Sequence, residues 1–187
     1  MPPAPFKNII LIGFMGSGKS SIGRELSQNL GYPIVDTDTL IVKRAGKPIL
    51  KIFEDEGEEA FRDLETAVLR QLEEDRTSRR IIATGGGIIM RAENREALRR
   101  LGFVVWLVVT AAEIVQRTSR NRDRPLLNNE DREGTIERLL EERNGLYRKT
   151  AHQELETDGL TFPEITTGII DFLLGPEGAS RESSETS

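Results

Sequence analysis

Gly13, four intervening residues and then Gly18-Lys19-Ser20 stand inside the stretch LIGFMGSGKSS (11–21). An apolar run, NIILI (8–12), leads directly into it, and Ile22, Leu26 and Leu30 follow at helical spacing. Glycines at the exit of a strand let backbone N–H groups converge on an anion, and a helix beginning near Gly18 adds its positive end. A lysine in that place reaches the outer phosphates of a nucleoside triphosphate, and the hydroxyl after it suits Mg²⁺. The pattern assigns Gly16, Ser17, Gly18, Lys19, Ser20 and Ser21 to ATP, with Ser20 also on the metal.

Further groups could act on whatever receives the phosphate. VDTDTL (35–40) sets Asp36 and Asp38 two apart, at the end of a second apolar stretch. Asp36 suits a Mg²⁺ water and Asp38 a substrate hydroxyl, as positioner or proton acceptor. A helix N-cap is the alternative use of Asp36. In TGGGIIM (84–90), Gly85, Gly86 and Gly87 destabilise any regular element, so they permit a close backbone approach or a sharp bend. Arg62 in FRDLE follows the acidic EDEGEEA, and Arg143 sits four residues before Tyr147 in ERNGLYRKTA. Taken alone, these two arginines read as a solvated helix residue and a surface ion pair.

These groups need a scaffold. NIILI (8–12), YPIVD (32–36), RIIAT (80–84), FVVWLVV (103–109) and HQELET (152–157) read as strands, several apolar without alternation, as in a parallel sheet buried on both faces. Helical spacing appears at Ile22–Leu30, at Phe61, Leu64, Val68 and Leu72, at Ile136–Leu146 and at Ile165–Leu173. Strand–helix alternation predicts an α/β domain with right-handed crossovers. The 187 residues suit one domain, over 1–175, with a polar tail at 176–187. With a formal net charge of −5, an anion must be held by local groups, and no basic field points to nucleic acid. The absence of cysteine excludes disulfides and thiolate metal sites, and the single histidine, His152, reads as structural. Trp106, in a buried-type strand, reads as core. No apolar run approaches a membrane span, which predicts a cytoplasmic protein.

GFMGSGKS, DTD, FRDLE, GGG, RPLL and RNGLY, in this order and at these separations, resemble the shikimate kinases over nearly the whole chain, from about Lys7 to Leu174. The resemblance implies a three-layer sandwich with a five-stranded parallel sheet, a P-loop kinase fold with a mobile lid over about 118–131. It implies transfer of the ATP γ-phosphate to the 3-hydroxyl of shikimate, a step towards aromatic amino acids, by a monomer that partners only small molecules. It makes Lys19, Asp38 and Arg124 catalytic and sets Arg117 and Arg124 on the nucleotide. Asp38, Arg62, Gly85, Gly86, Gly87 and Arg143 become shikimate contacts, and Ser20 and Asp36 hold Mg²⁺. Two arginines suit the carboxylate of shikimate and Asp38 its hydroxyls. One departure stands in ETDGLTFPEI (156–165), which keeps the outline of the family's adenine loop but has no arginine between Thr157 and Pro163.

Two rival expectations are a kinase of another small hydroxy acid, such as gluconate, and a non-catalytic nucleotide-binding module. The triple glycine with paired aspartates favours shikimate, and a mere binder has no need of Lys19, Asp36, Asp38 and Arg124 together.

Overall fold

The computed structural model of the chain describes residues 8–75, 79–118 and 131–175. Among them run β1 (Asn8–Ile12), α1 (Lys19–Leu30), β2 (Ile34–Asp36), α2 (Thr37–Ala45), α3 (Ile49–Glu74), β3 (Arg80–Ala83), α4 (Ala92–Leu101), β4 (Phe103–Val108), α5 (Ala111–Thr118), α6 (Arg132–Thr150), β5 (Gln153–Glu156) and α7 (Phe162–Leu174). A short 3₁₀ turn, Ile88–Met90, precedes α4. The described strands form one parallel sheet in the order β2-β3-β1-β4-β5.

The apolar, non-alternating strands are the inner ones. Every residue of β1 and β3 is buried, as is all of β4 but its last residue. Successive side chains of a strand take opposite faces. Ile10 and Ile12, with Ile82, Val104 and Trp106, accordingly pack against α2, α3, α4 and α6. Ile9 and Leu11, with Ile81, Val105 and Leu107, pack against α1 and α7. That is the three-layer α/β sandwich expected. At the edge, β5 alternates between half-buried and exposed residues, which is why QELE carries so little apolar signal. His152 sits beside it as a structural group: its Nδ1 accepts from Val104 N at 2.9 Å, and its ring stacks on Phe103.

Three helices, α2, α4 and α5, lie where the spacing pointed to none, and α5 buries only Ile114 and Thr118. Only Thr37 and Ile41 of α2 are buried, and α4 buries Asn94, Ala97, Leu98 and Leu101, too few apolar residues to make a strong period. The helix read from Phe61 to Leu72 is longer than expected and broken inside by Gly57, at φ 84° and ψ 177°. The expected lid, with Arg124, lies outside the described residues apart from Thr118 and Asp131, and so does the tail at 176–187. Arg132 donates to Thr118 O, joining the start of α6 to the end of α5.

Candidate active site

All the strands point their carboxyl ends to one edge, and β1 leaves the sheet where the chain order switches direction, the usual place for a ligand crevice. A cavity of about 530 Å³ opens there. Its lining includes Gly16 and Gly18 from the first loop, Lys19, Ser20 and Ser21 from the start of α1, Asp36 at the end of β2 and Asp38 after it, and Gly85 and Gly86 beyond β3. Arg117, near the end of α5, also lines it. Segments far apart in sequence thus meet at one hollow.

The loop is built for an anion. Gly16 and Gly18 take φ of 83° and 92°, a region that side chains with a Cβ rarely adopt. Helix α1 has no acidic residue in its first turn, so nothing of its own offsets the positive end that faces the cavity. Lys19 is largely buried and donates to Gly13 O at 2.8 Å, Phe14 O at 2.7 Å and Ser17 Oγ at 3.3 Å. Ser17, expected on the nucleotide, is fully buried beneath the loop and braces Lys19.

Asp36 fills its alternative role, the cap of α2, and also meets Ser20 at the cavity. One carboxylate oxygen caps α2 by accepting from Thr39 N at 3.0 Å, while the other accepts from Ser20 Oγ at 3.0 Å. A hydroxyl beside a carboxylate on a phosphate cavity is a hard-oxygen set that fits Mg²⁺. Among the described residues no cluster of three or more His, Cys, Asp or Glu could hold a metal ion.

Behind Asp38 lies a second, buried set of charges, and here the single-residue expectation fails. Arg62 and Arg143 are not solvated: they are 4% and 3% exposed. Arg62 donates from Nη1 to Glu65 Oε2 and from Nη2 to Glu58 Oε1, each at 2.7 Å. Burial lowers the pKa of Arg62, but the two carboxylates outweigh it and hold the guanidinium charged. Arg143 lies against the Phe14 ring, 5.9 Å from its centroid, and its Nε and Nη1 have no hydrogen-bond partner among the described residues. Burial pushes the Glu65 carboxyl up to about 7, opposed by Arg62 and assisted by the nearby Asp38, with Arg143 pulling it down. Two arginines and Glu65 therefore share one buried pocket behind Asp38, which lines the cavity.

The triple glycine makes room for this set and also turns the chain: Gly86 and Gly87 form a turn that Ile88 N closes by donating to Gly85 O at 3.4 Å. A Cβ on Gly87 would overlap the Arg62 guanidinium, and one on Gly85 would sit 2.6 Å from Asp38 Oδ1. Gly85 N donates to Thr37 Oγ1 at 3.0 Å, and the Tyr147 hydroxyl donates to Gly86 O, so both glycines are fixed. Burial raises the Tyr147 phenol, which keeps it a neutral donor. Tyr147 in turn stacks on Trp106, tying the arginine-bearing α6 to β4 in the core.

Residues the motifs did not single out complete the site. Glu65 is one, and its place three residues after Arg62 on α3 was its only signal. Phe162 is another. Its ring lies over Gly18, 3.2 Å from where a Cβ would stand, and it lines the cavity although large and 40% exposed. The loop before it is held by Asp158, which accepts from Thr110 N, and by Glu164, which accepts from Thr161 N at 2.8 Å.

Comparison with known proteins agrees with this geometry. The sequence model of the family described as shikimate kinase matches residues 15–174. A shikimate kinase of Marinomonas sp. (strain MWYL1) is 43% identical over 164 residues, 88% of this chain and 90% of that protein. The solved structure of shikimate kinase from Acinetobacter baumannii in complex with shikimate superposes with a TM-score of 0.85 at 41% identity, covering 89% of this chain and 92% of that one. A gluconokinase from Sinorhizobium meliloti 1021 shares the fold alone, at 16% identity and a TM-score of 0.58 over 96% of this chain and 97% of that one. A phosphate loop, a buried pair of arginines beside it and these likenesses along most of the length have one common explanation: the chain belongs to the shikimate kinase family.

Proposed function

We propose that this protein transfers the γ-phosphoryl group of ATP to the 3-hydroxyl of shikimate, giving shikimate 3-phosphate and ADP on the route to aromatic amino acids. The observation that carries it is Arg143. A guanidinium 3% exposed with two unpartnered nitrogens is costly unless an anion completes it, and it lies over Phe14, the neighbour of cavity-lining Met15. A small carboxylate seated there and on Arg62 presents its hydroxyls to Asp38 and to the glycines.

In this reading the N–H groups of residues 16–21 and the end of α1 enclose the phosphates, while Arg117 and the ring of Phe162 flank the rest of the nucleotide. Lys19 leaves its carbonyls for the outer phosphates, where it offsets charge in transfer. Ser20 and Asp36 hold Mg²⁺, which when bound neutralises phosphate charge. Asp38 accepts the hydrogen bond of the acceptor hydroxyl and aligns its oxygen on the γ-phosphorus. A new oxygen–phosphorus bond forms as the bond to the ADP leaving oxygen breaks, and the hydroxyl proton passes to Asp38 and from it to solvent. Arg124, of the expected lid, lies outside the described residues; in this reading its charge offsets that of the phosphates in transfer.

Among the described residues no helix is long and apolar enough to cross a membrane. We take the enzyme as a cytoplasmic monomer, one domain over 1–175, whose partners are its two substrates. ADP release measured with shikimate, with gluconate and with neither tests the reading. Release that depends on shikimate is expected; release driven equally by gluconate, or by no acceptor, would refute it.

A further inference from the structure

Arg62 is held by two carboxylates of very different standing. Glu65, on its inner side, is 1% exposed and fixed on α3. Glu58, on its outer side, has a side chain 52% exposed, so its partnership is the one that can exchange with water. Glu58 opens the second stretch of α3, directly after Gly57 interrupts the helix at a φ of 84°. Its spacing to Arg62 is the i, i+4 arrangement that favours an acid ahead of a base, and the bond is 2.7 Å long. A carboxylate on a guanidinium is also the contact the substrate needs.

We propose that Glu58 is an internal competitor of the substrate: its carboxylate occupies on Arg62 the place that the shikimate carboxylate takes, and it swings into solvent when shikimate arrives. The proposal rests on the assignment of Arg62 to the substrate carboxylate. Charge makes the exchange necessary. Glu65 and Glu58 already hold Arg62, Asp38 adds its charge beside Glu65, and a further carboxylate is repelled unless one of them leaves. Glu65 is buried and Asp38 is committed to the hydroxyls, so the half-exposed Glu58 is the group that goes. With the site empty it keeps the Arg62 fork extended and charge-balanced; the cost is affinity for the substrate.

Calorimetric binding of shikimate to the whole protein, without nucleotide, tests this in Glu58→Gln and Glu58→Ala. An exposed ion pair is weak, so both variants should bind shikimate roughly two- to fivefold more tightly than the wild type. The gain should vanish for the analogue whose carboxylate is reduced to a hydroxymethyl group. It should vanish too when Arg62→Lys is added. Unchanged or weaker shikimate binding in both variants, or an equal gain for the neutral analogue, would overturn the competition while leaving Arg62 in its role. If Arg62→Lys alone leaves shikimate affinity at the wild-type value, the assignment of Arg62 itself fails, and the competition with it.

Discussion

Replacing Arg143 by methionine should make the ligand-free protein more stable and nearly useless as a receptor for shikimate. The guanidinium is 3% exposed, and two of its three nitrogens lack partners among the described residues. Removing a poorly compensated buried charge in favour of an apolar side chain of similar volume is typically neutral to about 4 kcal/mol stabilising. Part of that is returned here, because Arg143 also helps keep Glu65 ionised, so a gain of about 2 kcal/mol is the expectation. For a chain of this size that raises Tm by roughly 4–8 °C. The gain should be larger at pH 6 than at pH 8, since Glu65, with its carboxyl pushed up to about 7, balances less of the arginine charge at the lower pH. Binding should move the other way: truncating one side of a desolvated charge pair costs about 2–5 kcal/mol. Shikimate affinity would then fall roughly 30-fold to a few thousandfold. Thermal unfolding without ligands, beside calorimetric titration with shikimate, measures both. A variant that melts well below the wild type would show the guanidinium to be a structural strut. One that binds shikimate normally would remove Arg143 from the receptor.

Lys19→Ala should abolish turnover, and it should also destabilise by about 1–3 kcal/mol, because Gly13 O and Phe14 O lose their donor; normal turnover by the purified variant would refute the loop assignment. Gly87→Ala forces the Arg62 guanidinium aside, so shikimate affinity should drop roughly tenfold or more while ATP affinity holds, as separate titrations would show. Glu65→Gln bears on pH. The carboxyl is raised from 4.5 to about 7 in the folded protein, so the folded state binds more protons between those values. Its contribution to stability is present in full below pH 4.5 and is lost as pH rises through about 7. Denaturant unfolding at pH 5 and pH 8 should show that fall in the wild type and not in the variant; equal slopes would discard Glu65 as its source. Arg124→Ala should lower kcat on the order of 10²-fold with a smaller change in shikimate affinity. Single-turnover transfer at the wild-type rate with weak ATP binding would instead make Arg124 a nucleotide clamp.

What the sequence determined by itself is what local chain geometry can specify. A phosphate loop is contiguous: its glycines, its lysine and the helix that follows occupy neighbouring positions, so spacing alone carries the chemistry. Buried parallel strands are legible for a similar reason, since two covered faces demand unbroken apolar runs such as those of β1 and β4. The edge strand β5 and the short helices α2 and α4 bury too little to leave a strong pattern, yet they complete the sheet and carry Asp38. The arginines mark the boundary most clearly. Periodicity places Arg62 and Arg143 on helix faces, and beside acidic neighbours each looks like a surface residue. Whether a charge is in water or out of it depends on which segments close over it, and those are more than 20 residues away along the chain. Tertiary packing alone brings the glycine turn after β3 onto Arg62 and the Phe14 ring onto Arg143, while Glu65 and Tyr147 come from one turn along their own helices. That enclosure strips them of solvent, and on this desolvation the proposed anion receptor rests.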